Sequence, residues 1–330
     1  MTDWKIFVGD GTQHEKLLTL PPPPPWRFAR KLKPLTRRAD LDTNAESARA
    51  APFIPNDPMR IAVNAALYLR RPLLITGKPG TGKSTLIAKV AHELMLGPVI
   101  RWPISSRSTV RGGVYEYDAV GRLQAGKKDD PPVEQYLTLG PLGTALMAQT
   151  WPRPLLIDEI DKSDLDFAND LLNVIEEGEY EIPELRRLGN PTSAVHDFLG
   201  NIVTIEAGRI VSGQFPFVVM TSNAEREFPV PFLRRCVRLS IDPPTTSELA
   251  KIVESHFNHY PTVFDSKQTR ELIKHFEDLR NENQEVATDQ LLNAIFMVVA
   301  MNGASERSFS EAELYALRDN LLKQLSGPST

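Results

Sequence analysis

Residues 77 to 84 read Gly77-Lys78-Pro79-Gly80-Thr81-Gly82-Lys83-Ser84 and match the pattern G-x-x-x-x-G-K-[ST]. An apolar run before them, Pro72 to Thr76, predicts a strand, and Lys83 to Met95 predicts a helix after them. Glycine permits the tight curl that turns successive N–H groups toward one anion, and the first turn of a helix adds partial positive charge. The sequence therefore predicts a phosphate-binding loop. With a bound nucleoside triphosphate, we expect Lys83 to neutralise the β and γ phosphates and the Ser84 hydroxyl to contact Mg²⁺.

A second apolar run, Leu155 to Asp158, ends in two carboxylates, those of Asp158 and Glu159. The tip of a parallel strand lies at the carboxyl edge of its sheet, where nucleotide ligands bind. We expect Asp158 to hold Mg²⁺ through water and Glu159 to orient and polarise an attacking water. Taken without the loop, the same pair fits an ordinary turn at the exit of a strand.

The acidic residues that follow are assigned to a different feature. We expect Asp161 and Asp164 to belong to the start of the next helix, where acidic side chains suit the helix dipole. Ser163 with Asp166 resembles a capping box.

A third apolar run, Phe217 to Thr221, also leads into polar side chains. We expect Asn223 to bridge the attacking water and the γ-phosphate, although asparagine is also common in turns without a catalytic role. Arg234 and Arg235 precede the last predicted strand. A guanidinium supplied across a subunit boundary stabilises a transferring phosphoryl group, whereas for a pair of arginines taken alone surface salt bridging is the better interpretation.

Composition excludes several classes of protein. The 330 residues are 41% hydrophobic and 24% charged with a net charge of −4, which is typical of a globular protein and not of a polycation that coats nucleic acid. The single cysteine, Cys236, cannot form an internal disulfide. The longest apolar run, Ala294 to Met301, is too short to span a membrane, and Met1 to Lys5 lacks the pattern of a secretory signal. We expect a cytoplasmic protein that does not enter a membrane.

Strand and helix patterns alternate along the middle of the chain. This alternation predicts a mostly parallel sheet covered by helices on both faces, and amphipathic helices alone follow Pro243-Pro244. We therefore predict an α/β fold in three parts: a proline-rich, basic extension (1–54), an α/β domain (55–242) and a small α-helical domain (243–330). The five predicted strands are Pro72 to Thr76, Val99 to Ile104, Leu155 to Asp158, Phe217 to Thr221 and Val237 to Ile241. The main predicted helices are 59–70, 83–95, 163–177, 247–258, 269–281, 289–301 and 310–325.

The N-terminal extension combines a proline run with a basic cluster. Pro21 to Pro25 predicts a stiff, extended connector. The cluster that follows is either a solvated linker or a docking strip for a neighbouring subunit, an acidic partner or a phosphate backbone. Its basic residues are Arg27, Arg30, Lys31, Lys33, Arg37 and Arg38.

The order of these features resembles the AAA+ ATPases and, more narrowly, their MoxR-type branch. The matching stretches, within Pro58 to Ile241, are Gly77–Ser84, Tyr136–Leu142, Leu155–Lys162, Thr221–Asn223 and Phe232–Cys236. The resemblance implies a P-loop NTPase sheet followed by a helical lid domain, with ATP and Mg²⁺ bound by residues 77–84 and Asp158. It also implies Glu159 as catalytic base, Asn223 as first sensor and Arg235 as arginine finger, with Arg234 as the less favoured finger.

The same resemblance implies partners. Members of this family form rings, usually hexamers, with ATP between subunits, and they remodel or activate proteins that often contain a von Willebrand A domain. Many relatives carry a second-sensor arginine at the start of the third lid helix. This chain has Val286-Ala287-Thr288-Asp289-Gln290 there, without arginine, which is compatible with slow hydrolysis.

Other patterns leave alternatives open. Ser105 to Lys128 and Glu184 to Gly213 are long insertions, which the resemblance places toward the ring pore or the partner. Val114 to Tyr117 either presents aromatic side chains to a substrate or forms a plain surface hairpin. His256 and His259 have the spacing for a shared metal but no third ligand nearby.

Three functions fit these features. The first is a motor that hydrolyses ATP to remodel a protein client. The second is an assembly switch whose nucleotide-bound state, and not its turnover, recruits partners. The third is a phosphotransferase, against which the acidic pair and the lack of an evident acceptor site argue.

Overall fold

The computed structural model describes residues 4–27, 32–125, 132–257, 267–282, 286–303, 316 and 320–322. The chain divides into two compact units. The first comprises Met1–Ala50, Pro55–Thr76 and Ser84–Ser240. The second comprises Ala51–Ile54, Gly77–Lys83 and Ile241–Thr330. The three predicted domain boundaries stay a prediction.

The described strands are β1 (Leu73–Thr76), β2 (Ile100–Pro103), β3 (Tyr115–Tyr117), β4 (Leu137–Leu139), β5 (Pro154–Asp158), β6 (Glu179–Glu181), β7 (Thr192–His196), β8 (Ile202–Glu206), β9 (Arg209–Val211), β10 (Phe217–Ser222) and β11 (Val237–Ser240). The described α-helices are α1 (Ser47–Ala50), α2 (Asp57–Leu69), α3 (Lys83–Glu93), α4 (Val110–Val114), α5 (Ala119–Ala125), α6 (Pro141–Leu146), α7 (Leu165–Glu177), α8 (Pro183–Leu188), α9 (Val230–Leu233), α10 (Thr246–His256), α11 (Lys267–Asn281) and α12 (Thr288–Gly303). Short 3₁₀ helices lie at Lys16–Thr19, Val133–Tyr136 and Ile160–Lys162.

A five-stranded parallel sheet runs through the first unit in the order β2-β5-β10-β1-β11. Its central strands are almost continuous apolar runs, as a sheet covered on both faces requires; every residue of β10 is buried. All five strands predicted from the sequence are present, so the predicted AAA+-type α/β sheet is confirmed. The register pairs Thr76 with Ser222 and Met220 with Ile157, which brings the ends of β1, β10 and β5 to one edge.

The helix after β5 begins differently from the prediction. The N-cap of α7 is Asp164, whose side chain accepts a 2.6 Å hydrogen bond from the backbone N–H of Phe167. The predicted capping box of Ser163 and Asp166 is therefore wrong, because the Ser163 hydroxyl donates to the carbonyl of Ile160. Gly178, in the left-handed conformation, ends α7.

A second sheet takes four of its six strands from the two long insertions, while β4 and β6 lie outside them. Its order is β3-β4-β7-β8-β9-β6, and neither its existence nor its strands were predicted from the sequence. Tyr115 lies in β3 and is buried, and its hydroxyl donates to Glu184 at 2.7 Å. Neither prediction for Val114 to Tyr117 holds at Tyr115, because this ring faces the core and not a substrate or the surface.

The N-terminal segment, residues 4–27, packs on α2 and α3. The Asn64 side chain accepts from the backbone N–H groups of Ile6 and Phe7 and donates to the Phe7 carbonyl. The Glu93 carboxylate, fully buried at the end of α3, accepts four hydrogen bonds of 2.6 to 3.0 Å from the backbone N–H groups of Val8, Gly9 and Gly11. These bonds fix the segment to the helix that begins at Lys83.

The described part of the basic cluster is also bound to the first unit. The backbone N–H of Lys33 donates to Gly213 and that of Thr36 to Thr150. The described residues are therefore attached to the first unit, although Lys33 and Arg37 are exposed to solvent, and both interpretations of the segment stay predictions. Arg30 and Lys31 lie outside the described residues. Ion pairs join Arg27 to Glu176, Arg37 to Glu15 and Arg38 to Asp40.

The second unit contains the helices that follow the sheet. Apolar side chains of α10, α11 and α12, including Leu249, Phe276 and Ile295, form one buried cluster. This arrangement confirms the predicted helical lid. The predicted helix at 310–325 lies almost wholly outside the described residues. Among the described helices, none is long and apolar enough to cross a bilayer.

Candidate nucleotide-binding site

The loop Gly77–Lys83 curls around its own lysine. The Lys83 ammonium, which is buried, donates to the carbonyls of Gly77 at 2.7 Å and Lys78 at 2.9 Å. The hydroxyl of Thr81 donates to the same Lys78 carbonyl at 2.9 Å. These contacts hold a compact turn in which the lysine side chain lies on the inner side of the loop.

Two glycines of the loop have conformations and neighbours that exclude a side chain. Gly80 has φ +72°, and a Cβ there would lie 2.5 Å from the Cβ of Ala287. Gly82 has φ +82°, and its Cβ would lie 2.9 Å from the ring of Phe53. The start of α12 therefore lies directly against the loop within the second unit. The residues at this contact are Ala287 and Thr288, where many AAA+ relatives are expected to carry an arginine.

In the first unit, Ser84 and Asp158 are joined by a hydrogen bond. The Ser84 hydroxyl donates to Asp158 Oδ1 at 2.8 Å, and the Thr221 hydroxyl donates to the same oxygen. A hydroxyl and a carboxylate are hard oxygen ligands of the kind that Mg²⁺ prefers. The two residues predicted to contact the metal are thus brought together, and their chemistry fits the ion.

Glu159 has an unusual backbone. Its φ is +59°, in a left-handed region that costs a non-glycine residue about 1 kcal/mol or more. The backbone N–H donates to the Thr221 hydroxyl at 2.9 Å, so that one threonine fixes both acidic residues. The carboxylate forms an ion pair with Lys162 through Oε2 and accepts from Asn223 Nδ2 at a long 3.5 Å through Oε1. The predicted base and the predicted sensor are therefore neighbours.

Asp161 holds the turn that carries Asn223. Its buried Oδ2 accepts from the backbone N–H groups of Asn223 at 3.0 Å and Glu225 at 3.2 Å. Because Asp161 lies in a 3₁₀ turn ahead of α7, the prediction that it belongs to the start of that helix is wrong, whereas Asp164 is its N-cap. Its side chain instead joins the end of β5 to the end of β10.

The two candidate finger arginines differ in their surroundings. Arg234 is exposed, and its carbonyl accepts from Arg71 at 2.7 Å. Arg235 is half-buried and bonded to α7, where Nε donates to Glu176 at 2.8 Å and Nη2 donates to Asn173 at 2.8 Å. The assignment of Arg235 as finger and Arg234 as alternative stays a prediction.

Other candidate groups do not form a second site in the described part of the chain. Burial raises the pKa of the Cys236 thiol to about 12, so this cysteine stays protonated at neutral pH. No cluster of three metal-ligating side chains occurs among the described residues. Of the two histidines considered as metal ligands, His259 lies outside them.

Comparison with known proteins agrees with this geometry. Residues 72–227, just under half of the chain, match the model of the AAA domain (dynein-related subfamily). Together with the parallel sheet and the helical lid, this match supports an AAA+ fold, a class whose members generally bind and hydrolyse ATP. No curated protein matches the chain. The finer likeness to the MoxR-type branch rests on the motifs alone.

Sequence reasoning missed three residues of the site. Thr221, Asp161 and Lys162 all contact the carboxylates or the sensor turn. Their positions next to the predicted strand ends were the available signal, since polar groups at neighbouring parallel strand ends meet at one edge. Apart from the pair of Glu159 and Lys162, which are three positions apart, no spacing in the sequence relates the residues that bond to one another.

Proposed function

We propose that the chain is a MoxR-like AAA+ ATPase that binds ATP with Mg²⁺ and hydrolyses it to remodel or activate a partner protein. The observation that carries this proposal is the network in which Ser84, directly after the phosphate-binding loop, bonds to Asp158 while Thr221 fixes both Asp158 and Glu159. Hard oxygen ligands next to a positioned carboxylate are what metal-assisted phosphoryl transfer to water needs.

Each residue has a role that its surroundings support. Lys83 and the curled backbone bind the phosphates, and Ser84 with Asp158 would hold Mg²⁺, which neutralises charge on the phosphates. Glu159 would accept the proton of the attacking water, with Asn223 beside it to orient that water. Arg235 would act on the nucleotide of the neighbouring subunit in a ring, for which a hexamer is the proposed form.

The client is proposed from the resemblance. MoxR-type proteins act on partners that often carry a von Willebrand A domain, and we propose a partner of this kind. Binding of nucleic acid through residues 27–38 is not favoured, because Arg27, Arg37 and Arg38 are already paired with carboxylates.

The assembly switch remains the second candidate. Both oxygens of Glu159 have partners, Lys162 and Asn223, and the start of α12 lacks an arginine, so turnover is expected to be slow. Because the Glu159 carboxylate is already bonded to Lys162 and Asn223, an ATP-bound state that outlasts turnover would serve as the signal that recruits a partner.

Hydrolysis of ATP by the purified full chain, at high protein concentration with Mg²⁺, tests the proposal. We expect turnover above that of Lys83→Ala, and equal rates would contradict an ATPase. Glu159→Gln then separates the two candidates. A motor should lose client remodelling in this variant, whereas a switch should keep partner binding with ATP trapped.

A further inference from the structure

The side chain of Arg235 is held along one edge by α7. Nε and Nη2 both donate to Glu176 Oε2, and Nη2 also donates to Asn173 Oδ1. The guanidinium has five N–H donors, and those of Nη1 take no part in these bonds. The side chain is 21% exposed, so it is fixed in direction while part of it still reaches the surface.

The Glu176 carboxylate is shared with a second arginine, from the N-terminal segment. Arg27 Nη1 donates to Glu176 Oε1 at 2.6 Å, and Nε donates to the Arg70 carbonyl at 3.2 Å. The Arg27 guanidinium also lies over the ring of Phe215, 5.9 Å from its centroid. Only 9% of the Arg27 side chain is exposed, so this contact is part of the packed structure and not a surface encounter.

The charges of these three groups do not cancel. Burial alone would raise the pKa of Glu176, but hydrogen bonds from Arg235 and Arg27 outweigh it and hold this pKa below its ordinary value. The carboxylate is therefore negative at neutral pH, and one negative charge faces two positive ones. Without Arg27, the pair of Glu176 and Arg235 would be neutral. With Arg27, the cluster carries an excess positive charge that attracts a further anion.

The helix that holds Arg235 starts at the acidic strand end. α7 begins at Leu165, six residues after Glu159, and its 13 residues extend about 20 Å to Glu177. One rigid element thus runs from the carboxylates of a subunit's own site to the arginine assigned to its neighbour's site.

From these contacts we propose that Glu176 is the positioning residue of Arg235 and that Arg27 supplies the excess charge that lets Arg235 attract the triphosphate of the adjoining subunit. The N-terminal segment then contributes to hydrolysis without touching the nucleotide. This inference rests on the proposed function, because it takes Arg235 as a finger acting on ATP.

A double-mutant cycle on the full chain tests the role of Glu176. Removal of a finger lowers kcat by about 10³-fold or more, so Arg235→Ala is expected in this range. Glu176→Gln should lower kcat about tenfold, the effect of losing one charge-assisted hydrogen bond, with KM for ATP within about twofold of wild type. The double variant should be no slower than Arg235→Ala alone. Glu177→Gln, which removes the same charge one residue further along, is the matched control and should keep wild-type kcat.

A second pair of variants tests the charge of Arg27. Arg27→Ala should lower kcat, while Arg27→Lys should recover most of the loss, because lysine keeps the positive charge near Glu176. Arg37→Ala, in the same basic cluster but paired with the exposed Glu15, is the control. If Arg27 had a purely structural role, kcat and the midpoint of thermal unfolding would fall together. A fall of both quantities in Arg27→Lys would therefore contradict the proposal.

The outcomes separate this inference from the proposed function. If wild type hydrolyses ATP no faster than Lys83→Ala, both are overturned. If wild type is active but the losses of Glu176→Gln and Arg235→Ala multiply, the positioning role is overturned and the ATPase stands. Equal losses for Arg27→Lys and Arg27→Ala would overturn the charge argument alone.

Discussion

Replacement of Glu93 by glutamine is expected to detach part of the N-terminal segment from α3. The carboxylate is fully buried and uses both oxygens, Oε1 for Val8 and Gly9, and Oε2 for Gly9 and Gly11. Glutamine keeps one acceptor oxygen and places an NH₂ group where the other oxygen was. Whichever oxygen is kept, the backbone N–H groups that bonded to the replaced oxygen then lie opposite another N–H donor.

The size of the effect follows from the number of bonds lost. Two bonds to a charged acceptor disappear, and each contributes about 1.5 kcal/mol or more. We therefore expect the free energy of unfolding to fall by about 3 kcal/mol, a large part of the 5–15 kcal/mol typical of a folded domain. For a unit of this size, the Tm should fall by roughly 6–12 °C.

Urea unfolding followed by circular dichroism measures this change. Glu15→Gln is the matched control, because Glu15 lies in the same segment and its ion pair with Arg37 is exposed. An exposed pair contributes about 0–1 kcal/mol, so this control should unfold close to wild type. Equal midpoints for Glu93→Gln and Glu15→Gln would refute the view that the buried carboxylate fastens the segment to α3.

Two further predictions concern the site itself. Asp161→Ala removes the acceptor of the turn that carries Asn223, so kcat for ATP hydrolysis should fall about tenfold or more with little change in nucleotide affinity. Asp161→Asn keeps one acceptor oxygen and should lose less activity. Equal losses of kcat in the two variants would contradict this role. Gly80→Ala should weaken ATP binding in a fluorescence titration, because its Cβ would lie 2.5 Å from Ala287. Gly189→Ala has a similar φ of +70° but open space around it, and the reasoning fails if both variants bind ATP equally.

Much of the fold was predictable because its signals are local. The phosphate-binding loop is contiguous, and strands such as Phe217–Ser222 contain an unbroken apolar run, Phe217 to Met220, because both faces of a parallel sheet are buried. The second sheet gave no comparable signal. Its strands β6 and β9 have three residues each, Glu179–Glu181 and Arg209–Val211, with charged side chains on the exposed face. Such short, polar segments are stabilised by pairing with distant strands and not by their own pattern.

The candidate site was predictable in its members but not in its connections. Asp158, Glu159 and Asn223 follow strands whose ends meet, so their proximity is a consequence of the topology. The bond between Arg27 and Glu176 joins residues 149 positions apart. No periodicity or spacing relates such residues, because their contact depends on how the N-terminal segment packs on the folded unit.

The central claim is that the loop at residues 77–84 binds the triphosphate of ATP through Lys83 and its curled backbone. Isothermal titration calorimetry of ATP with Mg²⁺ tests it directly, with wild type and Lys83→Ala compared at equal concentration. We expect saturable heat for wild type and none, or much weaker binding, for the variant. The absence of heat with wild type, or equal affinity of the two proteins, would contradict the account.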